Sequence, residues 1–227
     1  MDDARASVAD VTAALREVAD FGGFFVLHTG GREDGWHAAA RSYEAGFADL
    51  AEAVARRHRT TEPRVDVSIA HLGHAARLWS PALACFVLHG IVLDLAGLQR
   101  SDDGPSLRVP RPGGWYVDGL GDAAPGALYT QVTRHLLALA DGLEVKVAQR
   151  LLDGNSASAL AGAAHALLRV RPAVRRQLTD LTAVLLETGR LAGTGAITGP
   201  DLEFRRRSCC LYYRAPEGSK CGDCVLA

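Results

Sequence analysis

The chain has 227 residues, of which 48% are hydrophobic and 22% are charged. This length and composition suit one large globular domain, with or without a small appendage, and exclude a mostly disordered protein. The formal net charge of −1 gives no chain-wide positive field, so nucleic acid is not expected as a partner.

The N-terminal residues and the longest apolar stretch indicate where in the cell the protein is expected. The first residues are acidic, and the apolar core of a signal peptide does not follow them, so we expect a cytoplasmic protein with reduced thiols. The longest apolar stretch, 81–98, contains His89 and Asp94. Because a carboxylate costs about 2.5–3.5 kcal/mol at a bilayer centre, this stretch predicts a buried helix and not a membrane span.

Helical periodicity dominates the first hundred residues. Ser7 is a candidate N-cap for a helix that ends near Asp20. The apolar run 24–27 fits either a strand or the start of a loop. Further helices are predicted over 37–58 and 65–78. Another is expected to begin at Ser80 and Pro81, because Ser caps helices and Pro suits the first helical position.

The second half begins with a segment of different character, 99–125, which is rich in proline and glycine. Two strand-like pieces, 107–109 and 115–117, flank the turn 111–114 and predict a short β-hairpin. Helical patterns return over 128–152, 156–170 and 172–190, with a break at 153–155.

These elements define the predicted architecture. The fold class is mainly α, a helical body with a short β-hairpin and a C-terminal cysteine-rich segment. The predicted division is a mainly helical body over 1–190, a Gly-rich linker over 191–199 and the cysteine-rich segment over 200–227.

The cysteines are the strongest chemical signal. Cys85 lies in an apolar run and is predicted to be an inert buried thiol, whereas Cys209, Cys210, Cys221 and Cys224 lie within the last 19 residues. This grouping argues against a disulfide scaffold. Four thiolates spaced C-C-x10-C-x2-C can hold either a tetrahedral zinc or an iron–sulfur cluster. Neighbouring side chains such as Cys209 and Cys210 diverge, which favours the wider two-iron cluster.

Basic residues surround the four cysteines. They are Arg205, Arg206, Arg207, Arg214 and Lys220. Positive charge near sulfur stabilises the reduced form of such a cluster and raises its potential. An ordinary solvated basic patch is the alternative, and the sequence leaves both interpretations open.

The tail resembles a known family. Residues 206–213, Arg-Arg-Ser-Cys-Cys-Leu-Tyr-Tyr, followed by Cys-Gly-Asp-Cys at 221–224, resemble the C-terminal signature of FhuF-type siderophore-iron reductases. Residues 77–84 and 154–160 also resemble that family. The resemblance implies a cytoplasmic protein with a helical substrate-binding body and a [2Fe-2S] cluster held by all four cysteines of the motif. It implies one-electron reduction of Fe(III) in a hydroxamate-type siderophore.

Partners and substrate contacts follow from the same reasoning. The sequence has no nucleotide-binding fingerprint, so electrons are expected from a separate ferredoxin or reductase that docks at Arg205–Arg207. Candidate substrate contacts are Arg77, Trp79, Arg206 and Arg207, although Arg77 to Ser80 also fit a helix end packed in the core. The alternative function is a non-enzymatic iron–sulfur or zinc sensor.

Two weaker signals favour structural roles. His71 and His74 share one helix face, but a third ligand at a standard spacing is missing, so buried structural histidines are favoured over a metal pair. Asn155 is predicted first as a helix cap and second as a ligand contact.

Overall fold

The computed structural model describes residues 4–226 and confirms the mainly helical class. The α-helices of this range are α1 (Val8–Ala19), α2 (Ala39–Glu44), α3 (Ala48–His58), α4 (Pro63–His89), α5 (Val117–Leu120), α6 (Ala124–Gly142), α7 (Gln149–Val170) and α8 (Arg175–Leu186). The first helix follows its prediction, because the Ser7 side chain accepts a hydrogen bond from the backbone N–H of Asp10 and caps α1.

The strands are short, and their pairings are partly local and partly between distant segments. They are β1 (His28–Thr29), β2 (Trp36–Ala38), β3 (Ile91–Leu93), β4 (Gln99–Ser101), β5 (Leu107–Val109), β6 (Gly114–Tyr116), β7 (Gly195–Ile197) and β8 (Phe204–Arg206). One sheet has the order β1-β5-β4-β2, while β3 pairs with β6 and β7 pairs with β8. Only the β1–β5 pairing among these described strands is parallel.

The core is built around α4 and α7, which pack along each other. The side chains of Leu78, Leu83 and Leu160 are fully buried in this core. Trp79 is also fully buried, and its indole N–H donates to Ser156 Oγ at 3.0 Å. That bond satisfies the one polar group of a large buried side chain, so Trp79 ties the two central helices together.

The single helix predicted over 37–58 is wrong, because this range contains a strand and two separate helices. Residues 36–38 form β2, and the chain reverses between α2 and α3 at Gly46 and Phe47, which have φ of 64° and 58°. The reversal turns Phe47 into the core, where 1% of it is exposed. Apolar periodicity alone does not reveal such a break, because both short helices keep the same spacing.

Two helices predicted on either side of Ser80 are in fact one. α4 runs without interruption through Pro81, which lacks the N–H for one helical hydrogen bond. Ser80, Pro81 and Ala82 are all buried, and this packing holds the helix together across the proline. The helix then ends at Gly90, so the apolar stretch 81–98 forms a helix end and then β3, not one helix.

The hairpin predicted between 107–109 and 115–117 is wrong in its pairing. Both strand pieces exist, but β5 pairs with β1 and β4, whereas β6 pairs with β3. The Pro-Gly-Gly turn between them is therefore a connection between two sheets. Local turn chemistry indicated where the strands lie but could not identify their distant partners.

The break predicted at 153–155 lies inside α7, and the true break is 143–148. Gly154 lies close to the tail: a Cβ atom at this position would lie 2.1 Å from Ser208 Oγ, so the serine side chain would have to move. The glycine thus marks the close approach of the C-terminal tail to α7. The last predicted helix ends at Leu186, four residues before the expected Arg190.

The Gly-rich segment 191–199 contains β7, which pairs antiparallel with β8. The segment therefore packs against the tail as a strand, unlike a free linker. The division of the chain into a body and a tail stays a prediction. Across residues 4–226, helices that combine the length and the apolarity of a membrane span are lacking.

Candidate iron–sulfur site

Strand β8 brings the cysteine-rich tail, residues 200–226, onto the body. Its residues alternate in burial, with Phe204 and Arg206 inside and Arg205 outside. Phe204 enters the hydrophobic core, and Arg206 is only 1% exposed. The tail is thus held by two apolar side chains, Leu202 and Phe204, and by one buried guanidinium before the first cysteine is reached.

A buried polar network connects Arg206 to the first cysteine pair. Arg206 Nη2 donates to Asn155 Oδ1 at 2.6 Å, and Asn155 Nδ2 donates to the Ser68 carbonyl at 2.9 Å. Ser68 Oγ in turn donates to the Cys210 carbonyl at 2.7 Å. Because Asn155 lies on α7 and Ser68 on α4, the two central helices position the backbone of Cys210 directly.

The Cys221–Cys224 turn is attached to the same framework. The Arg206 N–H donates to the Asp223 carbonyl at 3.1 Å, and the Cys224 N–H donates to the Cys221 carbonyl at 3.1 Å. Ser158 on α7 donates to the Asp223 carboxylate. Arg206 therefore holds one cysteine pair through its side chain and the other through its backbone.

The sulfur atoms come together across the two pairs. Cys210 Sγ and Cys221 Sγ lie 3.4 Å apart. Backbone N–H groups donate to sulfur at both ends of the motif, from Leu211 to Cys209 Sγ at 3.3 Å and from Leu226 to Cys224 Sγ at 3.4 Å. Such N–H···S contacts are typical of iron–sulfur sites, where they stabilise negative charge on sulfur.

Burial governs the protonation of the thiols. It raises the pKa of Cys209 above the usual range, against a smaller opposing effect of the Leu211 N–H. It also raises the pKa of Cys221, to which hydrogen bonding with Asp223 adds. Thiolates at these positions therefore need a compensating positive charge, which bound iron would supply.

The ten residues between the pairs fold back against the body. Tyr212–Arg214 form a 3-10 turn, and the Tyr212 ring contacts the His58 ring edge-on at 5.5 Å. Gly218 closes the loop, because a Cβ atom there would lie 1.9 Å from the Tyr212 carbonyl oxygen. Arg214 Nη2 pairs with Glu62 Oε2 at 2.7 Å, which ties the loop to the start of α4.

The donor set and its surroundings fit a [2Fe-2S] cluster. The four thiols come from one segment, and the neighbouring Arg206 is a buried cation whose Nε and Nη1 atoms find no hydrogen-bond partner in the described residues. A buried cation of this kind matches a cofactor whose thiolate ligands carry net negative charge. In the same described residues, three or more His, Cys, Asp or Glu side chains do not converge on one ion position.

The four candidate substrate contacts are not brought together. Trp79 and Arg206 are buried at 0% and 1% exposure, so neither presents a surface to a ligand, and both hold helices or tail in place. Arg207 is exposed, and its N–H donates to the Thr194 carbonyl. Arg77 alone among these candidates lines a cavity, with its guanidinium 5.0 Å above the Phe24 ring.

The two histidines of the His71-x-x-His74 motif are both buried, at 2% and 3% exposure. Burial lowers the pKa of His71 to about 4 and that of His74 well below its ordinary value. His74 Nε2 lies 2.9 Å from Tyr43 Oη, which also contacts His135 Nδ1 at 3.2 Å. His74 therefore belongs to a buried histidine–tyrosine network and not to a metal pair with His71.

Another network was not predicted from the sequence. His37 Nδ1 lies 2.5 Å from Asp102 Oδ1, and His37 Nε2 lies 2.7 Å from Ser42 Oγ. The connectivity is that of a Ser-His-Asp triad, but Ser42 is 3% exposed and its Oγ also accepts a hydrogen bond from Arg100 Nε at 2.7 Å. Because Ser42 is buried and its Oγ already accepts a hydrogen bond, we assign this network to holding β2 against α2.

Sequence reasoning also missed the roles of Ser68 and Asn155. Ser68 carries no local signal, since it is one small polar residue in a helical pattern. Gly154 next to Asn155 was a usable signal, because a glycine inside a long helix indicates a close approach of another segment.

Comparison with known proteins supports the assignment of the tail. Residues 206–226 match the family model described as the FhuF 2Fe-2S C-terminal domain, and the match includes all four cysteines. The chain has no match among curated proteins or solved structures. The match implies a [2Fe-2S] cluster as the cofactor and confirms, for this segment, the resemblance to the FhuF-type family that the C-C-x10-C-x2-C signature indicated.

Proposed function

We propose that the protein is a ferric-siderophore reductase, which reduces Fe(III) held by a hydroxamate-type siderophore and so releases Fe(II). The FhuF-type 2Fe-2S segment is the observation that carries this proposal. Siderophores bind iron through hard oxygen donors, which hold the more highly charged Fe(III) far more tightly than Fe(II). One electron is therefore enough to release the metal with the siderophore intact.

The residues of this chain would have two tasks. Cys209, Cys210, Cys221 and Cys224 would hold the cluster, which supplies one electron at a time when bound. Asn155 and Ser68 fix the position of the first cysteine pair relative to the body.

The electron balance requires a second protein. Fe(III) gains one electron, the protein loses one, and an external ferredoxin or reductase restores it. The exposed cations near the motif offer a docking surface for an acidic donor, because electron-transfer encounters are small and electrostatically steered. These cations are Arg205, Arg207, Arg214 and Lys220. We place this reaction in the cytoplasm.

Anaerobic mixing tests the proposal. Dithionite-reduced protein, freed of excess reductant, is mixed with a ferric trihydroxamate complex and a strong Fe(II)-specific chromogenic chelator. We expect the visible spectrum of the oxidised cluster to return while one Fe(II) appears per protein. A protein that keeps its reduced spectrum in the presence of the complex would contradict the proposal.

The second candidate, an iron–sulfur sensor without turnover, is favoured if that result is negative. The buried network from Arg206 to Cys210 would then transmit the state of the cluster to α4 and α7. Limited proteolysis of the oxidised and reduced forms distinguishes the candidates, because a sensor must change shape with redox state and an electron carrier need not.

A further inference from the structure

Two cavities meet beside the cysteine-rich tail. A cavity of about 580 Å³ runs between α4, α7 and the Phe21–Phe25 turn, and one of about 320 Å³ lies between α3 and α4. Phe24, Ile69 and Gly73 line both, so the two form one continuous cleft. Its size falls in the range of ligand sites that hold molecules of several hundred daltons.

The two ends of this cleft differ in chemistry. The larger cavity is lined by aromatic, aliphatic and small residues and offers an apolar wall. The smaller cavity carries Arg57, His58 and Arg77, and its described lining includes neither Asp nor Glu. The cleft is therefore apolar at one end and positively charged at the other.

Arg77 is fixed in a defined position. Its Nη1 atom donates to the Gly73 carbonyl at 2.8 Å, and its guanidinium lies 5.0 Å from the Phe24 ring centroid. Arg57 lies on the exposed last turn of α3 and lines the same cavity from the opposite wall. Two guanidinium groups on facing helices form a site for a carboxylate or another anionic oxygen group.

One lining side chain at each end of the cleft contacts the cysteine-rich tail. At the basic end, His58 contacts the ring of Tyr212, which follows Cys210 by two residues. At the apolar end, Ser158 lines the larger cavity and donates a hydrogen bond to Asp223, between Cys221 and Cys224. A ligand in the cleft would thus be separated by one side chain from the loop after Cys210 and from the Cys221–Cys224 turn.

We infer that this cleft binds the ferric chelate and selects one that carries an anionic group, with Arg57 and Arg77 as the residues that recognise it. This inference rests on the proposed function. Three deprotonated hydroxamates neutralise Fe(III), so the charge of a trihydroxamate complex is decided by its end group. The apolar wall suits the alkyl spacers of such a ligand, and the basic end suits a terminal carboxylate.

The test uses three complexes with the same iron-binding core. They are the complexes of desferrioxamine B, of its N-acetyl derivative and of its N-succinyl derivative, which are positive, neutral and negative. Gallium(III) replaces iron for binding measurements by calorimetry on the holoprotein, because gallium is not reduced. We expect the succinyl complex to bind about tenfold more tightly than the ammonium-bearing one.

Arg57→Gln and Arg77→Gln should each remove most of this preference, measured as the ratio of the affinities for the succinyl and the ammonium-bearing complexes. Arg56→Gln is the matched control, because Arg56 is adjacent, exposed and paired with Glu52, and is outside the cleft lining. It should keep the full preference. Since Arg57 is exposed, its variant preserves the test even if the Arg77 variant fails to fold.

The outcomes separate the two proposals. Equal binding of the three gallium complexes, or a preference that survives Arg57→Gln, would overturn the anion-selective cleft even if all three ferric complexes reoxidise the protein. Charge-ordered gallium binding without any reoxidation would support the cleft and contradict the reductase. Charge-ordered binding with a matching order of KM for the ferric complexes supports both.

Discussion

The helical body and the cysteine-rich tail are held by different forces. The body buries a continuous apolar core around α4 and α7, to which the tail adds Leu202 and Phe204. The tail is otherwise held by directed polar contacts through Arg206, Ser158 and Asp223. Apolar packing is shared among many residues, whereas a polar network fails when one member is removed. The tail should therefore be the more sensitive region to single substitutions.

The largest effect is expected from the four cysteines. Replacing Cys209, Cys210, Cys221 or Cys224 with Ser should abolish the visible absorption of the cluster, because each would provide one of its four thiolate ligands. Cys85→Ala is the control, because Cys85 lies on α4 inside the hydrophobic core and outside the C-C-x10-C-x2-C motif. It should retain the full spectrum. A serine variant with unchanged iron content would remove that cysteine from the ligand set.

The next largest effect is a change in midpoint potential, and it should distinguish Arg206 from its neighbours Arg205 and Arg207. Arg206→Gln removes a buried cation next to the cysteines, so the more negative reduced state should lose stabilisation and the midpoint potential should fall. We expect at least a tenfold change in the redox equilibrium, about 59 mV for one electron. Arg205→Gln and Arg207→Gln are matched controls at exposed positions and should shift it much less.

Spectroelectrochemical titration measures this difference, and Arg206→Lys should restore most of the potential because it keeps the charge. Equal shifts in all three glutamine variants would show that only total charge matters. Such a result would contradict the special role of the buried position.

The difference between body and tail also explains what the sequence could predict. The helical class and the cluster ligands follow from local patterns, since α1 has its cap and its apolar spacing and the four cysteines lie close in sequence. The errors at Pro81 and in the β5–β6 hairpin have a common cause. Each depends on contacts with distant residues, which outweigh local helix-breaking or turn-forming preferences.

The proposed substrate cleft was the least predictable feature for the same reason. Arg57 and Arg77 lie on different helices, and no sequence spacing indicates that they line one cavity. Arg206 was expected at the surface as part of a basic run. The alternation of strand β8 turns it inward, so the run contains one buried and two exposed arginines.

Acid should weaken the body through its buried histidines. Burial lowers the pKa of His71 and His135 to about 4, from about 6.5 in an unfolded chain. Their neutral forms therefore contribute stability above pH 6.5, and this contribution is lost as the pH falls towards 4. At 1.36 kcal/mol per pKa unit, we expect each histidine to lower the free energy of unfolding by about 2 kcal/mol between pH 7 and pH 5.

Urea unfolding of the holoprotein across this range measures the slope. His135→Gln should lower stability at pH 7, because it disturbs the contacts with Tyr43 and the Leu95 carbonyl, but should flatten the dependence on pH. A His135→Gln variant with the wild-type slope would contradict the assignment.

The smallest effect concerns the exposed ion pair between Arg214 and Glu62, which holds the loop between the cysteine pairs. Both side chains are about half exposed, so solvent and salt screen their attraction, and such pairs contribute about 0.2–1 kcal/mol. A double-mutant cycle of Arg214→Gln and Glu62→Gln should therefore give a coupling energy below about 1 kcal/mol that shrinks in high salt.

The buried comparison for this pair is Asn155→Ala, which leaves Arg206 and Ser68 without their buried partner. It should lower the free energy of unfolding by about 1–3 kcal/mol, and this loss should be insensitive to salt. If the surface pair stabilised the tail as much as Asn155 does, the tail would be held from its exposed side, and the buried network would not be what positions the cysteines.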